Sequence, residues 1–557
     1  MPGALADMTP GKLYAVEKMV DYWRDFPDVH ACLLVSPLMV GWIGQLIEYQ
    51  AEFAWALHGD SKHKLHHGRW LLSTFGTHCL LWEEKCKLYR HSFRPLMLMF
   101  VKENESVEAV RFAMLGLQIV ANHFFGSRYR PPSPCVDPCP LESSPPIANC
   151  PNAAVCLSVR LKPSANISDH SDGLRGGMQY INIDPTLPED SEVLVTPHMD
   201  DWAHIATHYR KGKLLPKSNA HYGEIWHYWQ AMHVAHSTEM LFLLRGHVIE
   251  LFEEWEADPN DVQPGKYTTA TLRAQYFGEP WLCNFSIGRY DGMQSEPNDL
   301  PAILPSNQCQ ESWHRGLMRL LKGKLRGSTD VVLSSTLPRI IQNDSVNMPE
   351  KLCFVPTHDN PKMIKKALQY MQHTDTHVMA YKDCYYVLRF KSKFKKISQK
   401  MIKSYVATLQ GEEPMTYKPY KDATTIKEKL LALIDVCQSM HVIMPQGQGD
   451  SGFPACRMNP AALVCTCKGY RMIGLCSHVI TVTVTYILEK ECQGGGKTYD
   501  QEDLEQLVEK LVTKKRKKRT SHRPRAVVGG AHIQPHGDSE DESEPGDEGL
   551  DEDLSAI

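Results

Sequence analysis

Apolar and polar positions in residues 51–125 form a pattern that predicts three strands followed by one helix. Apolar runs of strand length occupy residues 53–60 (FAWALHGD), 70–81 and 93–101 (FRPLMLMFV), and the polar segment EEKCKLYRH predicts a hairpin between the last two. Residues 105–125 then repeat apolar positions at helical spacing. Three strands with short connections and a crossover helix predict a mixed sheet, with a fourth strand parallel to the first.

The same reading divides the whole chain into five parts. They are an N-terminal segment of two helical stretches (1–50), a core (51–330), a mixed linker region (331–440), a zinc-finger segment (441–490), and a charged helix with a disordered basic and acidic tail (491–557). Within the core, residues 126–165 are rich in proline and cysteine and predict an exposed insertion, and residues 218–300 predict a large helical insertion. Short strands are predicted at SANIS and EVLVT, and helices at SDGLRGGMQYI and at PSNQCQESWHRGLMRLLKGKLRG, where Ser306 is the predicted N-cap. The predicted fold class is α/β.

Composition narrows the function classes only a little. The chain has 557 residues, 42% hydrophobic and 23% charged, with a net charge of −4, so its overall charge does not predict nucleic-acid binding. Charge is segregated in the tail, where Lys514 to Arg525 is basic and Asp538 to Asp553 is acidic. The basic run indicates a nuclear localisation signal or a phosphate-binding arm, with a solvated charged end as the alternative. The longest apolar window is too short for a membrane span, so no membrane association is predicted.

The strongest chemical signal is a Cys-x-Cys followed by a Cys-x-His. Cys465, Cys467, Cys476 and His478 supply three thiolates and one imidazole, a set that suits a structural zinc ion. Residues two apart on a strand share a face, so Cys465 and Cys467 are expected at a strand end. The odd total of 17 cysteines, without a secretory signal segment, also favours reduced thiols and metal binding over disulfides. After His478, residues 479–488 are rich in Val, Ile and Thr, which favours a strand.

Three acidic residues stand out by their position along the predicted elements. Asp60 ends the first strand, Asp169 ends the fourth, and Glu311 lies on a late helix. Carboxylates hold Mg²⁺, and two such ions can activate a nucleophile and stabilise the leaving oxygen in phosphodiester cleavage. Taken singly, each acid is most simply a solvated surface residue.

The finger motif resembles the SWIM zinc finger, which recurs in Mutator-like transposases and proteins descended from them. Residues from about 50 to 325 extend the resemblance: HGDSKHKLHHGRWLLSTFG resembles the segment of the first Asp, NISDHSDGLRGGM that of the second, and PSNQCQESWHRGLMR the helix with the Glu. Asp169 matches the second Asp better than Asp172 does. Asp201-Trp202-Ala203-His204 fits the family's [C/D]-x-x-H signature, which implies a role near the active site for both residues. The alternative for His204 is a packing residue that Asp201 orients.

This resemblance implies a fold and a function. The fold is a ribonuclease H-like mixed sheet with a helical insertion and a small C-terminal ββα zinc finger. Its first strand, fourth strand and helix bring Asp60, Asp169 and Glu311 to two Mg²⁺ ions. With these ions the protein would cut and join transposon DNA, in the nucleus. The partner is then DNA, at transposon ends or regulatory sites, and self-association into a homo-oligomer is left open. The alternatives are a catalytically inactive, host-adopted transposase that regulates transcription, and an unrelated zinc-bearing interaction protein.

Overall fold

A computed structural model describes a little under three fifths of the chain, and every structural statement below concerns these residues. They are 12–16, 29–50, 55–62, 70–102, 105–125, 159–169, 171–181, 198–233, 235, 238–261, 268–277, 307–320, 327–328, 331–347, 352–354, 360–381, 384–390, 392, 394, 398–409, 418–445, 463–493 and 506.

The centre of the fold is a seven-stranded mixed sheet. In chain order its strands are β1 (Tyr14–Ala15), β2 (Ala31–Val35), β3 (Ala56–Lys62), β4 (Trp70–Glu83), β5 (Leu88–Lys102), β6 (Ala165–Ser168) and β7 (His198–Asp200). Across the sheet the order is β1-β2-β5-β4-β3-β6-β7. Strands β3, β4 and β5 are antiparallel neighbours, whereas β6 is parallel to β3 and β7 is parallel to β6. The three predicted strands, the hairpin and the parallel fourth strand are therefore confirmed.

Helices cover both faces of this sheet, and later helices pack with a second sheet. In chain order, the helices of the described residues are α1 (Pro37–Tyr49), α2 (Val107–Phe125), α3 (Asp172–Met178), α4 (Trp202–Arg210), α5 (Tyr222–His233), α6 (Thr238–Ala257), α7 (Thr269–Leu272), α8 (Gln308–Leu320), α9 (Leu337–Asn347), α10 (Pro361–Met371), α11 (Thr374–His377), α12 (Gln399–Leu409), α13 (Lys418–Lys421), α14 (Ile426–Ser439), α15 (Lys468–Ile473) and α16 (Ser477–Gln493). A 3-10 turn (Gln179–Ile181) follows α3, and π-helical turns follow α7 (Arg273–Phe277) and precede α9 (Val332–Thr336).

Alternating residues of the central strands point into two separate apolar cores. On one face, Leu33, Met97 and Met99 pack against α1, α2 and α3. On the other, Leu98 and Phe100 pack with residues of α8 and α9. Because both faces are covered, the strands read as nearly continuous apolar runs, which is the pattern seen at residues 93–101.

The N-terminal part corrects one prediction. Residues 1–50 were expected to be two helical stretches. The second is α1, whereas most of the first lies outside the described residues, at positions 17–28. Residues 14–15 and 31–35 instead form β1 and β2, which extend the sheet beyond β5. Strand β2 (ACLLV) is buried on both faces between β1 and β5, so burial rather than helical periodicity decides its conformation.

The predicted helical insertion forms a core together with later parts of the chain. Residues of α4, α5, α6 and α7 share one apolar cluster with residues of α12, α14 and two strands of a second sheet. This second sheet contains β8 (Val378–Tyr381), β9 (Cys384–Leu388), β10 (Met440–Pro445) and β11 (Leu463–Cys465), all antiparallel, in the order β11-β10-β9-β8. The region predicted to be mixed, residues 331–440, thus contains both helices and strands, among them β9 and α14.

The far side of the second sheet carries the segment predicted to be a zinc finger. Strands β10 and β11 pair, and α15 and α16 follow, packed on α10. The strand favoured at residues 479–488 is wrong, because this stretch lies in α16. Val479, Val482 and Val484 are buried there, and the Thr481 and Thr483 hydroxyls donate to the carbonyls four residues earlier (2.8 and 2.9 Å). Tertiary burial thus overrides the intrinsic preference of these residues.

Several predictions lie outside the described residues. They are residues 126–158 of the proline-rich insertion, the strand at 192–196, the N-cap Ser306, and the basic and acidic runs of the tail. The end of that predicted exposed insertion, residues 159–165, is described, and there the prediction is wrong because Val159, Leu161 and Ala165 are buried. The domain boundaries likewise stay predictions.

Candidate metal centres

Two of the three predicted acids follow paired residues on neighbouring parallel strands. Gly59 of β3 is the partner of Ser168 in β6, so Asp60 and Asp169 are the next residues along each strand. Because β3 and β6 run in the same direction, both acids lie on the carboxyl-terminal side of the paired residues, next to each other in the sheet. Asp60 is mostly buried, with 15% of its side chain exposed, and its Oδ1 accepts a hydrogen bond from the Ser61 amide (2.8 Å).

Helix α8 docks on this edge through polar contacts to β3 and β4. The Asn307 side-chain amide donates to the carbonyl of Gly59 (3.1 Å), and its Oδ1 lies 2.9 Å from Nδ1 of His58. One turn along, the Gln310 side-chain amide donates to the carbonyl of Thr74 (2.7 Å). The first turn of α8 is thereby fixed over the middle of β3 and the neighbouring part of β4.

His314 makes the direct link between α8 and an acidic residue of the sheet. Its Nδ1 lies 3.1 Å from Oδ2 of Asp60, and its Nε2 lies 2.9 Å from Oγ1 of Thr74. His314 is 2% exposed, so both ring nitrogens are used inside the protein. The third predicted acid, Glu311, lies on the same helix face between Asn307 and His314, and it is exposed.

A tighter group of ligand atoms forms beside these acids. One carboxylate oxygen each of Asp201 and Glu311 and a ring nitrogen of His204 all lie within 4.8 Å of one another. Asp201 is the N-cap of α4, and His204 is in its first turn. The Asp201 amide donates to the carbonyl of Ser168 (2.8 Å), which ties the start of α4 to the end of β6.

The structure therefore regroups the predicted residues. Asp201, His204 and Glu311 come together, whereas Asp60 and Asp169 do not belong to this group of atoms within 4.8 Å. Two other contacts connect Asp60 and Asp169 to this neighbourhood. The Asp60 side chain contacts His314 of α8, and Ser168, next to Asp169, accepts a hydrogen bond from the Asp201 amide through its backbone carbonyl.

The environment of Asp201 is unusual for a carboxylate. Its Oδ1 accepts a hydrogen bond from the Ala203 amide (2.9 Å), while its buried Oδ2 has no hydrogen-bond partner among the described residues. Burial, together with the charge of Glu311, raises the pKa of Asp201 to about 7. A buried carboxylate beside a second carboxylate is an arrangement that a cation would stabilise.

Sequence reasoning missed two residues that support this edge of the sheet. Glu105, just before α2, accepts hydrogen bonds from the Ser61 and Ser171 hydroxyls, which follow Asp60 and Asp169 closely in the chain. The available signal for His314 was its position three residues after Glu311 on the same predicted helix. Glu105 carried none.

The second centre consists of the predicted zinc ligands. Ligand atoms of Cys465, Cys467, Cys476 and His478 all lie within 4.8 Å of one another, and the four residues are at most 5% exposed. Sγ of Cys465 lies 3.8 Å from Nδ1 of His478. A tetrahedral site with Zn–S bonds of about 2.3 Å has ligand atoms roughly 3.8 Å apart, so the donor set and its spacing fit a metal ion.

Local structure explains how these four residues converge. Cys465 ends β11, as expected, and Cys467 is the N-cap of α15, where its Sγ accepts a hydrogen bond from the Tyr470 amide (3.3 Å). Gly474 ends α15 in the left-handed region (φ 70°), which reverses the chain so that Cys476 returns to the site. Sγ of Cys476 accepts a hydrogen bond from the Val479 amide (3.4 Å) at the start of α16.

The imidazole of His478 is held by a second layer of residues. Its Nε2 lies 3.2 Å from the hydroxyl of Tyr370, which is buried in α10, so Nδ1 faces the thiols. The ring of His441 lies 4.5 Å from that of His478, and Arg389 Nε donates to Nε2 of His441 (3.0 Å). Such outer contacts fix the orientation of a histidine ligand.

The thiols affect one another's ionisation. Burial raises the pKa of Cys465 and of Cys476. Burial acts the same way on Cys467, but hydrogen bonds from the other two thiols and the nearby His478 outweigh it and lower the pKa of Cys467. Three buried thiolates repel one another, so a bound cation is what would let all three ionise.

Comparisons with known proteins add no relative. No family model, no curated protein and no solved structure matches this chain. Among the described helices, none combines the length and the apolar character needed to cross a membrane.

Proposed function

We propose that this protein cleaves and joins phosphodiester bonds in DNA with divalent metal ions, in the manner of a Mutator-like transposase. One observation carries the proposal: Asp60 and Asp169 follow the paired residues Gly59 and Ser168, and α8 is docked over the same edge with Glu311 facing outward. In this proposal the three carboxylates, from two strands and a helix, act on a phosphate backbone that approaches this side of the sheet.

The order of the strands supports the ribonuclease H-like fold that the resemblance implies. Strand β3 lies between β4 and β6, β4 and β5 run antiparallel, and β6 and β7 run parallel to β3. In this order β3, which is the predicted first strand, is central, and β6, which is the predicted fourth strand, lies beside it. Strands β1 and β2 are then an addition on the β5 edge.

The residues of the chain have separable tasks in this chemistry. Divalent ions at the site would activate the attacking oxygen and stabilise the leaving oxygen. Asp60 would hold such an ion with its orientation fixed by His314 and the Ser61 amide. Glu311 is exposed and meets the substrate side, while Glu105 braces Ser61 and Ser171 behind the acids.

For the Cys/His centre, we propose that zinc is the metal and that its role is structural. Three thiolates and one imidazole fill a tetrahedral shell and leave no position for substrate. The site joins β11, α15 and α16, and its second layer reaches α10 and β10. The ion would therefore hold together the apolar cluster around Tyr470 and Val479. We place the protein in the nucleus with DNA as partner, on the basis of the basic run at residues 514–525.

A plasmid-nicking assay tests the enzymatic proposal without knowledge of the target sequence. Wild-type protein, loaded with zinc, is incubated with supercoiled plasmid and Mg²⁺ or Mn²⁺, and open-circular DNA is measured. We expect Asp60→Asn and Glu311→Gln to lower the nicking rate by about 100-fold or more, since two-metal catalysis depends on each carboxylate. Glu254→Gln, at an exposed position of α6, is the matched control and should leave the rate unchanged.

DNA binding, measured by gel shift, separates the alternatives. Wild-type protein that binds DNA but nicks none with either metal contradicts the enzyme and supports the host-adopted DNA-binding regulator. Protein that neither nicks nor binds DNA supports the unrelated zinc-bearing interaction protein.

A further inference from the structure

The start of α4 presents two potential metal ligands on one side. Asp201 is the N-cap and His204 lies three residues later, and residues at this spacing are neighbours on a helix. The Asp201 amide is anchored on Ser168, and its Oδ1 caps the helix by accepting from Ala203. Both residues are thus placed by the backbone, independently of any ligand.

The second oxygen of Asp201 is the observation that points to a ligand. Asp201 is 1% exposed, and its Oδ2 is buried with no hydrogen-bond partner among the described residues. Leaving a buried carboxyl oxygen unsatisfied is costly, so native structures rarely retain one without an ion or a partner. A bound cation would satisfy this oxygen.

The third ligand comes from a different element. Glu311 of α8 brings a carboxylate oxygen within 4.8 Å of one carboxylate oxygen of Asp201 and of a ring nitrogen of His204. Because Glu311 is exposed and His204 is half-buried, the open side of the group faces solvent, where water or a phosphate oxygen can complete the coordination. The group therefore has a closed protein side and an open side.

We propose that Asp201, His204 and Glu311 bind one divalent transition-metal ion, with Mn²⁺ bound in preference to Mg²⁺. Carboxylates alone suit Mg²⁺, whereas an imidazole ligand shifts preference toward transition metals. The inference deepens the proposed function and rests on it in one respect, because Glu311 also belongs to the catalytic carboxylates. Metal binding itself requires no DNA.

Pulsed electron paramagnetic resonance of Mn²⁺ tests the site in the full-length protein. The protein is first saturated with zinc, so that the Cys/His centre is filled, and Mn²⁺ alone is then added. Nitrogen coupling to Mn²⁺ reports a histidine ligand, and the strength of binding is read from its dependence on Mn²⁺ concentration. We expect wild-type protein to show this coupling and His204→Gln to lose it.

Two carboxylate variants and a histidine control complete the design. Asp201→Asn and Glu311→Gln should each weaken the nitrogen-coupled binding by about tenfold or more, since loss of even outer-shell partners costs roughly 10–100-fold. His123→Gln, an exposed histidine on α2, should change nothing. Circular dichroism checks that each variant is folded, and Glu311→Gln at its exposed position keeps the test valid if Asp201→Asn unfolds.

Three results would overturn the proposal: no nitrogen-coupled Mn²⁺ in wild-type protein, coupling that persists in His204→Gln, or binding that Glu311→Gln leaves unchanged. Displacement of most of the bound Mn²⁺ by Mg²⁺ at equal concentration would overturn the preference. Failure here remains distinguishable from failure of the proposed function. Nicking with Mg²⁺ that is lost in Asp60→Asn upholds the enzyme even if this Mn²⁺ site is absent, and Mn²⁺ binding without nicking upholds the site alone.

Discussion

His314 Nδ1 and Asp60 Oδ2 lie 3.1 Å apart, across the contact between α8 and β3. This pair joins the helix that carries Glu311 to the strand that carries Asp60, and both side chains are largely shielded from solvent. A carboxylate oriented by a buried imidazole is positioned for a metal before the metal arrives. The same ring contacts Thr74 through its other nitrogen, so it spans β3 and β4.

Two substitutions of His314 separate these contacts. Asparagine places an amide near Nδ1 and keeps a donor for Asp60, whereas glutamine reaches the position of Nε2 and keeps only the contact with Thr74. We expect His314→Gln to lower the rate of metal-dependent nicking by about tenfold or more, and His314→Asn by clearly less. Urea unfolding should show similar losses of about 1–3 kcal/mol for both, because each leaves one buried partner unsatisfied. Equal nicking rates for the two variants would contradict the positioning role.

Glycine 173 sits where α3 meets the residues preceding α2. A Cβ at this position would lie 1.9 Å from the carbonyl oxygen of Glu105, a backbone atom that cannot move aside cheaply. We expect Gly173→Ala to lower the free energy of unfolding by about 1–3 kcal/mol, as over-packing does. Gly246→Ala is the control, since no atom lies within 4 Å of its Cβ and it is exposed in α6. It should stabilise the protein by about 0.5–1 kcal/mol. The free energies of unfolding of both variants are measured by urea titration, and a Gly173→Ala variant as stable as the wild type would contradict the prediction.

Buried histidine makes the sheet sensitive to acid. His78 of β4 stacks on His58 (ring centroids 3.6 Å apart), and neither ring nitrogen of His78 has a hydrogen-bond partner among the described residues. Burial, and then the neighbouring His58 and His91, lower the pKa of His78 well below 6.5. The unfolded chain therefore binds a proton below pH 6.5 that the folded chain does not, and stability falls as the pH drops from 6.5 toward the folded pKa.

Replacing His78 by phenylalanine removes this dependence. Between pH 8 and pH 5 the wild type should lose up to about 2 kcal/mol through His78, because each pH unit below 6.5 costs about 1.4 kcal/mol. His78→Phe should flatten the profile of unfolding free energy by that amount, while His123→Gln, at an exposed position, should leave it unchanged. A profile of His78→Phe that parallels the wild type would show that His78 does not resist protonation. Urea titrations at several pH values provide the measurement.

Zinc content tests the second centre directly. Elemental analysis of purified protein should give about one zinc per chain, and Cys465→Ser with Cys467→Ser should remove it and lower the temperature of unfolding. Cys86→Ser is the control, because Cys86 is exposed in the β4–β5 turn and lies outside the cluster. Wild-type protein without zinc, or a double variant that retains it, would contradict the assignment.

Features set by local sequence were predictable, and those set by distant contacts were not. The strands around residues 70–81 and 93–101 and the helix at 105–125 follow from periodicity alone, and the four residues of the Cys/His centre lie within 14 residues of one another. By contrast, β2 becomes a strand because β5 pairs with it, and α16 is a helix because its valines are buried on neighbouring elements. Neither partner is visible in the local pattern.

The acidic site illustrates the same division. Spacing and resemblance indicated Asp60, Asp169, Asp201, His204 and Glu311, but not which of them approach one another. The group of Asp201, His204 and Glu311 depends on how α8 docks against the start of α4, more than a hundred residues away in the chain. The contact of His314 with Asp60 spans a similar distance and has no local signature.

The central claim is that a carboxylate at the end of β6 takes part in DNA cleavage, and two neighbouring aspartates allow a direct test. Asp169 follows β6 beside Asp60, whereas Asp172 begins α3 three residues later. The measurement is the rate of plasmid nicking by Asp169→Asn and by Asp172→Asn, with zinc content and DNA binding matched to the wild type. The account predicts a loss of about 100-fold or more for Asp169→Asn and a rate within about threefold of wild type for Asp172→Asn. Undiminished nicking by Asp169→Asn, or equal losses in both variants, would contradict it.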